Sequence, residues 1–396
     1  MIADRTPVSD VDPFDAAFLC DPWPHHARLR DAGPVVFLER YGVWSMARHD
    51  HVASTLHDWQ TFSSAAGAGM ANFKREPPWR KPSIILEADP PLHTRTHKVL
   101  LRVLSPSALA SLKPVFESEA DRLVDALVRR GTFDGAEDCA KAFPLRVFPD
   151  AVGLRSEGRE NLLTFGDMVF NAFGPRNARL ETALAATSVV LPAIMEMCRR
   201  DALAENGLGA RVYDAVDAGE LTEDEAAMLV RSLLSAGLDT TIGAIAAALY
   251  CLATSAGALD ALRADETLAR PAFDEAIRVE SPVQTFFRTT TRPVHVEGVT
   301  IPDDAKVLLF LASANRDPRR WENPERFDVT RRTGGHVGFG SGIHRCVGEM
   351  LSRLEGEALL VSIARRVRRV RLTGEPHVRV NNTIRSYDRL PLAFDA

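Results

Sequence analysis

"HVGFGSGIHRCVGEM", residues 336–350, sets Gly340, Gly342 and Gly348 in register around one cysteine, Cys346. The segment lies between a strand-like apolar run and a helical pattern. A lone cysteine can be a small buried filler, but filler does not require this spacing of glycines, a phenylalanine and a histidine. A thiolate needs positive neighbours or a metal to stay ionised. A helix beginning just past Cys346 would turn its backbone N–H groups toward the sulfur. The glycines let main chain pass close to a large flat ligand, with His344 and Arg345 as donors beside it. The stretch reads as a thiolate site facing a planar group.

The rest of the chain bounds what such a site can serve. With 396 residues, 45% hydrophobic and 26% charged, it has the apolar material for a large core. A formal charge of -5 argues against a nucleic-acid partner. Cys20, Cys139, Cys198, Cys251 and Cys346 are scattered, with no CxxC pair. Neither a disulfide framework nor a structural zinc site is expected, and a reducing, cytoplasmic compartment fits. The N-terminal "MIADRTPVSDVDPFDAAF" is acidic and has no apolar core, so it does not read as a secretory signal. Residues 240–259, "TTIGAIAAALYCLATSAGAL", are uncharged over 20 residues, nominally enough to span a bilayer. Seven are alanine, and Thr, Ser and Gly fill much of the rest. A buried core helix is expected there, with no membrane partner.

Strand signals cluster near the two ends and helical ones fill the middle. "PVVFLERYGVWSMA" reads as a hairpin around Tyr41-Gly42. "ESEADRLVDALVRRG" is amphipathic and closes on Gly131, a C-cap candidate. "TRPVHVEGVTIPDDAKVLLFLA" returns to strands, with turns near Gly298 and Pro302, and the tail "VRRVRLTGEPHVRV" reads as strand–turn–strand. Without βαβ alternation or a Pro/Gly/Ser-rich linker, the class is α+β, mainly α, in one domain over residues 1–396.

The longest helical pattern opens on a Thr222-x-x-Glu225 capping box and continues to about Thr254, roughly 50 Å at 1.5 Å per residue. "SAGLDTT", residues 235–241, interrupts its apolar character. Gly237 costs about 1 kcal/mol relative to Ala in a helix. Asp239 and Thr240 put an acid and a hydroxyl inside the run. An exposed Asp and a Thr bonding back to a preceding carbonyl would account for them. A bent helix with a proton path toward a neighbouring site would account for them as well.

Together these stretches resemble the cytochromes P450. Phe339-Gly340-x-Gly342-x-His344-x-Cys346-x-Gly348 is similar to that family's haem-binding signature. Ala236-Gly237-x-Asp239-Thr240 resembles its oxygen-activation motif, Glu275-x-x-Arg278 its structural ion pair, and residues 314–328, "ANRDPRRWENPERFD", its meander. The likeness covers nearly the whole chain and implies the P450 fold, an α-rich triangular domain with small β-sheets. It implies haem b, with Cys346 as thiolate ligand to the iron and Phe339 and Gly340 against the porphyrin. Thiolate-held haem favours O–O cleavage. Thr240 is then expected to hold dioxygen and Asp239 to relay protons through water. His93, Arg288 and His344 match propionate-binding positions. His97 stands where an arginine is usual, which weakens that corner or makes it pH-dependent. Arg345 with Arg95, Lys98 and Arg102 would form a basic dock for an acidic ferredoxin, itself reduced by an NAD(P)H-dependent reductase.

A narrower resemblance bears on substrate. "PSIILEADPPLHTRTH", "VFNAFGP", "RSLLSAGLDTT" and "ESPVQTFFRTTTR" look like the bacterial subfamily that oxidises para-substituted benzoic acids, including O-demethylation of 4-methoxybenzoate. Ser232, Ala236 and Thr240 fall on one helical stripe, about 12 Å from end to end. A carboxylate near Ser232 would leave room for one aromatic ring before oxygen at Thr240. Arg80 and Ser83 match the subfamily's loop at the carboxylate end, with Arg231 adjoining. Phe170, Phe173 and Phe286 match its ring-packing aromatics, with Leu86 and Val283 beside them. Arg80 and Lys81 would equally suit a solvated surface, and each phenylalanine an ordinary core. Three classes follow: a ferredoxin-fed monooxygenase of this or another small aromatic or hydrophobic substrate, a peroxide-dependent haem enzyme, or a haem-thiolate sensor without turnover. Relatives of the second class often lack the acid–alcohol pair kept here at Asp239-Thr240, and a sensor needs neither that pair nor an ordered pocket.

Overall fold

The computed structural model describes residues 6–78 and 80–396. The first five residues of the acidic N-terminal stretch lie outside the described residues. The helices that carry the site are α1 (Leu92–Val103), α2 (Lys113–Arg130), α3 (Ala142–Val152), α4 (Asn161–Asn171), α5 (Ala178–Met197), α6 (Glu223–Ala236), α7 (Asp239–Thr254), α8 (Ala269–Glu280) and α9 (Glu349–Arg366). Local sequence explains several of their ends. Thr222 Oγ1 accepts the Glu225 N–H at 3.2 Å while the Glu225 carboxylate accepts the Thr222 N–H at 3.0 Å, the capping box that starts α6. Helix α2 stops where Gly131 takes φ 77° and its N–H bonds the Leu127 carbonyl.

The largest sheet runs Val8–Ser9, β1 (Val36–Leu38), β2 (Val43–Met46), β4 (Lys306–Phe310), β3 (Thr285–Thr290) and Phe62–Ser63. Strands β1 and β2 form the expected hairpin, with Leu38 opposite Val43. Strands β3 and β4 pair antiparallel with Arg288 opposite Val307. The tail holds the expected strand, turn and strand, each paired elsewhere. Arg369–Leu372 pairs with Pro391–Asp395, and His377–Val380 pairs with Arg385–Arg389, so the two neighbouring strands do not pair with each other. Val370 thereby faces the helical core, which the adjacent hairpin would not secure.

The long helix is not continuous. It breaks at Gly237–Leu238, with Leu238 at φ -100°, ψ -65°. The Thr240 hydroxyl donates to the Ala236 carbonyl across the break, 2.7 Å. Gly237 lies so close to Phe148 of α3 that an added Cβ would stand 2.4 Å from its ring. The apolar window within Glu223–Thr254 has a mean hydropathy of 1.5, but 72% of it is buried, so core packing accounts for it. Helix α5 is apolar too, yet only 22% of its window is buried, and Val189, Leu191 and Met195 are exposed.

Glu275 and Arg278 of α8 are fully buried and paired at 2.7 Å. Arg278 also donates to the carbonyls of Asn315 and Pro324, and Glu275 accepts from Arg331 at 2.9 Å. The pair ties α8 to the 314–331 meander, and the segment bearing Cys346 follows directly.

Candidate active site

The Cys346 turn is set by main-chain contacts. The Cys346 N–H donates to the Phe339 carbonyl at 2.8 Å, closing the loop on itself. Gly342 has φ 68°, and a Cβ there would lie 2.2 Å from the Leu56 carbonyl oxygen, so only glycine fits. Helix α9 starts at Glu349, and the Gly348 N–H bonds the cysteine sulfur. Cys346 is exposed, and what it opens onto is a deep internal cavity. Burial pushes its thiol up to about 11 against the pull of that N–H. The protein alone therefore leaves the sulfur protonated, and a bound cation is what the thiolate requires.

Every site residue expected from sequence lines this one cavity except Asp239, which stands directly behind it. At one edge His93 stacks on His97, with centroids 4.9 Å apart, and meets His344 edge-on at 4.4 Å. The Nε2 atoms of His93 and His97 are buried and lack a hydrogen-bond partner among the described residues, while His344 Nε2 faces the Asp89 carboxylate at 3.9 Å. Arg288, 3% exposed, donates among the described residues only to the Phe287 carbonyl, and burial lowers it to about 10. Two orphaned imidazole nitrogens, a third shared with a single carboxylate, and a buried guanidinium make a donor set with too few acceptors. Two propionates beside a planar ring would satisfy it, so these residues fit haem. His97, at the position where an arginine is usual, lines the cavity beside them.

On the opposite wall Asp239 is buried, not exposed. Its Oδ1 accepts from Arg379 Nη1 at 3.2 Å, while Arg379 Nη2 bonds Asp167 at 2.7 Å. Asn381 also donates to Asp167. Oδ2 of Asp239 has no partner among the described residues. Burial raises this carboxyl to about 6, although Arg379 pulls it down. Sequence gave no sign of Arg379, Asp167 or Gly166, whose missing Cβ makes room for Asp239 Oδ2. Nor did it mark Glu355 on α9. That residue reaches the cavity lining with both oxygens unpartnered among the described residues, and burial raises its carboxyl well above the ordinary range.

Farther from Cys346 the cavity has a polar end. Ser83 Oγ and Ser232 Oγ are 3.3 Å apart, and the Ser83 oxygen also accepts from the Leu86 N–H. Arg231 is 8% exposed and donates to the Lys81 carbonyl at 2.9 Å. Arg80 faces the same end but is paired with buried Glu87 at 2.9 Å, so it is no simple source of positive potential. Between this end and Cys346 the walls are apolar. Phe173 packs edge-on against both Phe170 and Phe286, at 6.0 and 5.4 Å, with Leu86 and Val283 nearby.

The expected basic dock is largely neutralised. Arg95 pairs with Glu225, Arg102 with Glu220 and Arg345 with Glu349. The acidic partners are Glu225 in the first turn of α6, Glu220 three residues before that helix, and Glu349 at the start of α9. Lys98 alone of the four has no ion pair among the described residues.

A helical fold that presents a glycine-framed cysteine to a cavity with cation-lined edges defines a haem-thiolate protein. The Cytochrome P450 family model matches residues 196–377. Cytochrome p450 CYP199A2 of Rhodopseudomonas palustris is 52% identical over 96% of this chain and 93% of its own length. Cytochrome P450 monooxygenase PikC of Streptomyces venezuelae is 32% identical over 98% of this chain and 94% of its own. Among solved structures, cytochrome P450 CREJ in complex with (4-ethylphenyl) dihydrogen phosphate superposes with TM-score 0.84 at 26% identity, covering 97% of this chain and 99% of that one. The chain belongs to the cytochrome P450 family and is a P450 monooxygenase.

Proposed function

We propose that this monooxygenase oxidises para-substituted benzoic acids, carries haem b on Cys346, and works in the cytoplasm on electrons from a ferredoxin and its NAD(P)H-dependent reductase. Bound haem supplies the oxygen-activating chemistry that inserts one atom of O2 into the substrate. The chain's own residues bind, orient and deliver protons. Ser83 and Ser232 offer two hydroxyls to the substrate carboxylate and Arg231 adds its charge, which offsets the desolvation of a buried anion. Phe170, Phe173 and Phe286 hold the ring by its faces and edges. Ser232 on α6 and Thr240 on α7 stand on either side of the helix break and both line the cavity, so a ring pinned by its carboxylate at Ser232 can point its para substituent toward Thr240. Asp239, near 6, can hold and release a proton at neutral pH, with the Thr240 hydroxyl one residue further into the cavity.

The observation that carries the proposal is the serine pair beside buried Arg231, next to the apolar walls of Phe170, Phe173 and Phe286. The test is titration of the haem-loaded enzyme with 4-methoxybenzoate while the haem spin-state absorbance is followed, then formaldehyde release with a reductase system. 4-Methoxybenzamide and 2-methoxybenzoate are the controls. Equal binding of the neutral amide, or equal demethylation of the ortho isomer, sinks the benzoate proposal and leaves the monooxygenase standing.

A further inference from the structure

We infer that Glu87 sets the net charge of the acid-binding end of the cavity, and with it a preference for a carboxylate monoanion over a phosphate dianion. The inference presupposes the benzoate proposal above. Glu87 is absent from the cavity lining and touches no substrate there. It is a positioning residue, with a side chain only 1% exposed. One oxygen, Oε2, accepts from Arg80 Nη1 at 2.9 Å and from the Ser83 backbone N–H at 2.8 Å. Both partners face the cavity. Glu87 thus braces the hydroxyl-bearing Ser83 and cancels one charge of the wall.

The charges at this end can be added up. Arg80 and Arg231 both line the cavity, and Arg231 has no ion pair among the described residues. The Lys81 side chain is exposed and contributes its carbonyl instead. Arg288, the other buried cation of the lining, stands at the histidine edge, and Lys306 is a further buried cation. It is absent from the lining, and its ammonium is held by the carbonyls of Ala66 and Gly67. Two guanidinium groups and one carboxylate leave a single positive charge, which matches one carboxylate. Without the Glu87 charge the same wall would carry two, which suits a phosphate monoester, a dianion above its second pKa of about 6. The P450 of known structure solved with an aryl phosphate shows that this fold admits such a ligand.

The test compares dissociation constants for 4-methoxybenzoate and 4-methoxyphenyl phosphate, read from the haem spin-state absorbance of haem-loaded protein at about pH 8. Native protein should favour the benzoate. Glu87→Gln keeps the shape and an acceptor for Ser83, and should move the ratio of the two constants toward the phosphate by at least about tenfold, the scale of one close charge pair. Glu87→Asp keeps the charge and should leave the ratio native even where both ligands weaken. Arg231→Gln removes a cation from a chain that retains Glu87, and should move the ratio the other way. An unmoved ratio in Glu87→Gln, the same shift in Glu87→Asp, or a shift toward phosphate in Arg231→Gln overturns the inference while tight benzoate binding by native protein keeps the substrate proposal intact. Native protein that binds 4-methoxybenzoate no better than 4-methoxybenzamide overturns both.

Discussion

Asp239 shows what burial does to a single side chain. It is 4% exposed, and its carboxyl stands at about 6 because desolvation outweighs the Arg379 guanidinium. The unfolded carboxyl ionises near 3.8, so between about pH 4 and 6 the folded chain keeps a proton that the unfolded chain has lost. Stability from this residue therefore falls as pH rises through that window. Asn does not titrate. The stability of Asp239→Asn relative to native should improve by on the order of 1–3 kcal/mol between about pH 4.5 and 7. Denaturant melts at the two pH values check this, and parallel curves would contradict it. Turnover should fall more than substrate binding in the same variant, as loss of a general acid requires. Gly166→Ala asks the same question without touching the carboxyl. Its Cβ would stand 1.8 Å from Asp239 Oδ2 and force the side chain off its position. Haem loading and benzoate affinity should survive while more of the consumed electrons appear as peroxide; unchanged coupling would mean that Asp239 placement does not matter. Asp239 and Thr240 were legible because they adjoin within one motif. Arg379 and Asp167 were not, since they reach Asp239 from 140 and 72 residues away and sit in no local pattern.

Among the elements, those with a local cause were readable from sequence. The capping box of α6, the Gly131 end of α2 and the hairpin of β1 and β2 each rest on residues within a few positions of one another. The strands of the tail were readable but their partners were not, because Arg369–Leu372 pairs past an intervening hairpin with a segment about 20 residues further on. The break between α6 and α7 belongs with the tail. Apolar periodicity continues through Gly237, and what interrupts the helix is contact with Phe148 of another helix and the bond from Thr240 to Ala236. Gly237→Ala would raise helix propensity by about 1 kcal/mol, yet it drives a methyl into the Phe148 ring. Overpacking of this kind costs about 1–3 kcal/mol, so the variant should be no more stable than native, and less stable where the ring cannot move. Phe148→Leu added to Gly237→Ala should recover part of the loss, which thermal melts of the two single variants and the double one would show. Additive effects of the two changes would mean that the ring contact does not govern the break.

Across the whole molecule, the cavity joins segments from Leu56 to Glu355, and its polar atoms await partners that only a ligand supplies. His93 and His97 each leave Nε2 unpartnered among the described residues, and Arg288 spends one donor on a neighbouring carbonyl. An unsatisfied buried polar atom costs about 1–3 kcal/mol, so haem should stabilise the fold beyond its contact area. A ligand at 100 times its dissociation constant adds about 2.7 kcal/mol, and the haem-loaded protein should melt well above the haem-free one. The haem-free protein should also carry a pH signature. Burial, with His344 and His97 adding to it, lowers His93 to about 4. Between about pH 4 and 6.5 the unfolded chain binds a proton there that the folded chain refuses, so stability is lost as pH falls through that window. Melting haem-free protein at about pH 5 and pH 7 should show the lower value at pH 5, and His93→Asn should flatten the difference. An unaltered slope in His93→Asn would place the acid sensitivity elsewhere. Haem-free protein as stable as the loaded form would mean that the histidine cluster closes on itself and that the fold does not depend on the group its cavity fits.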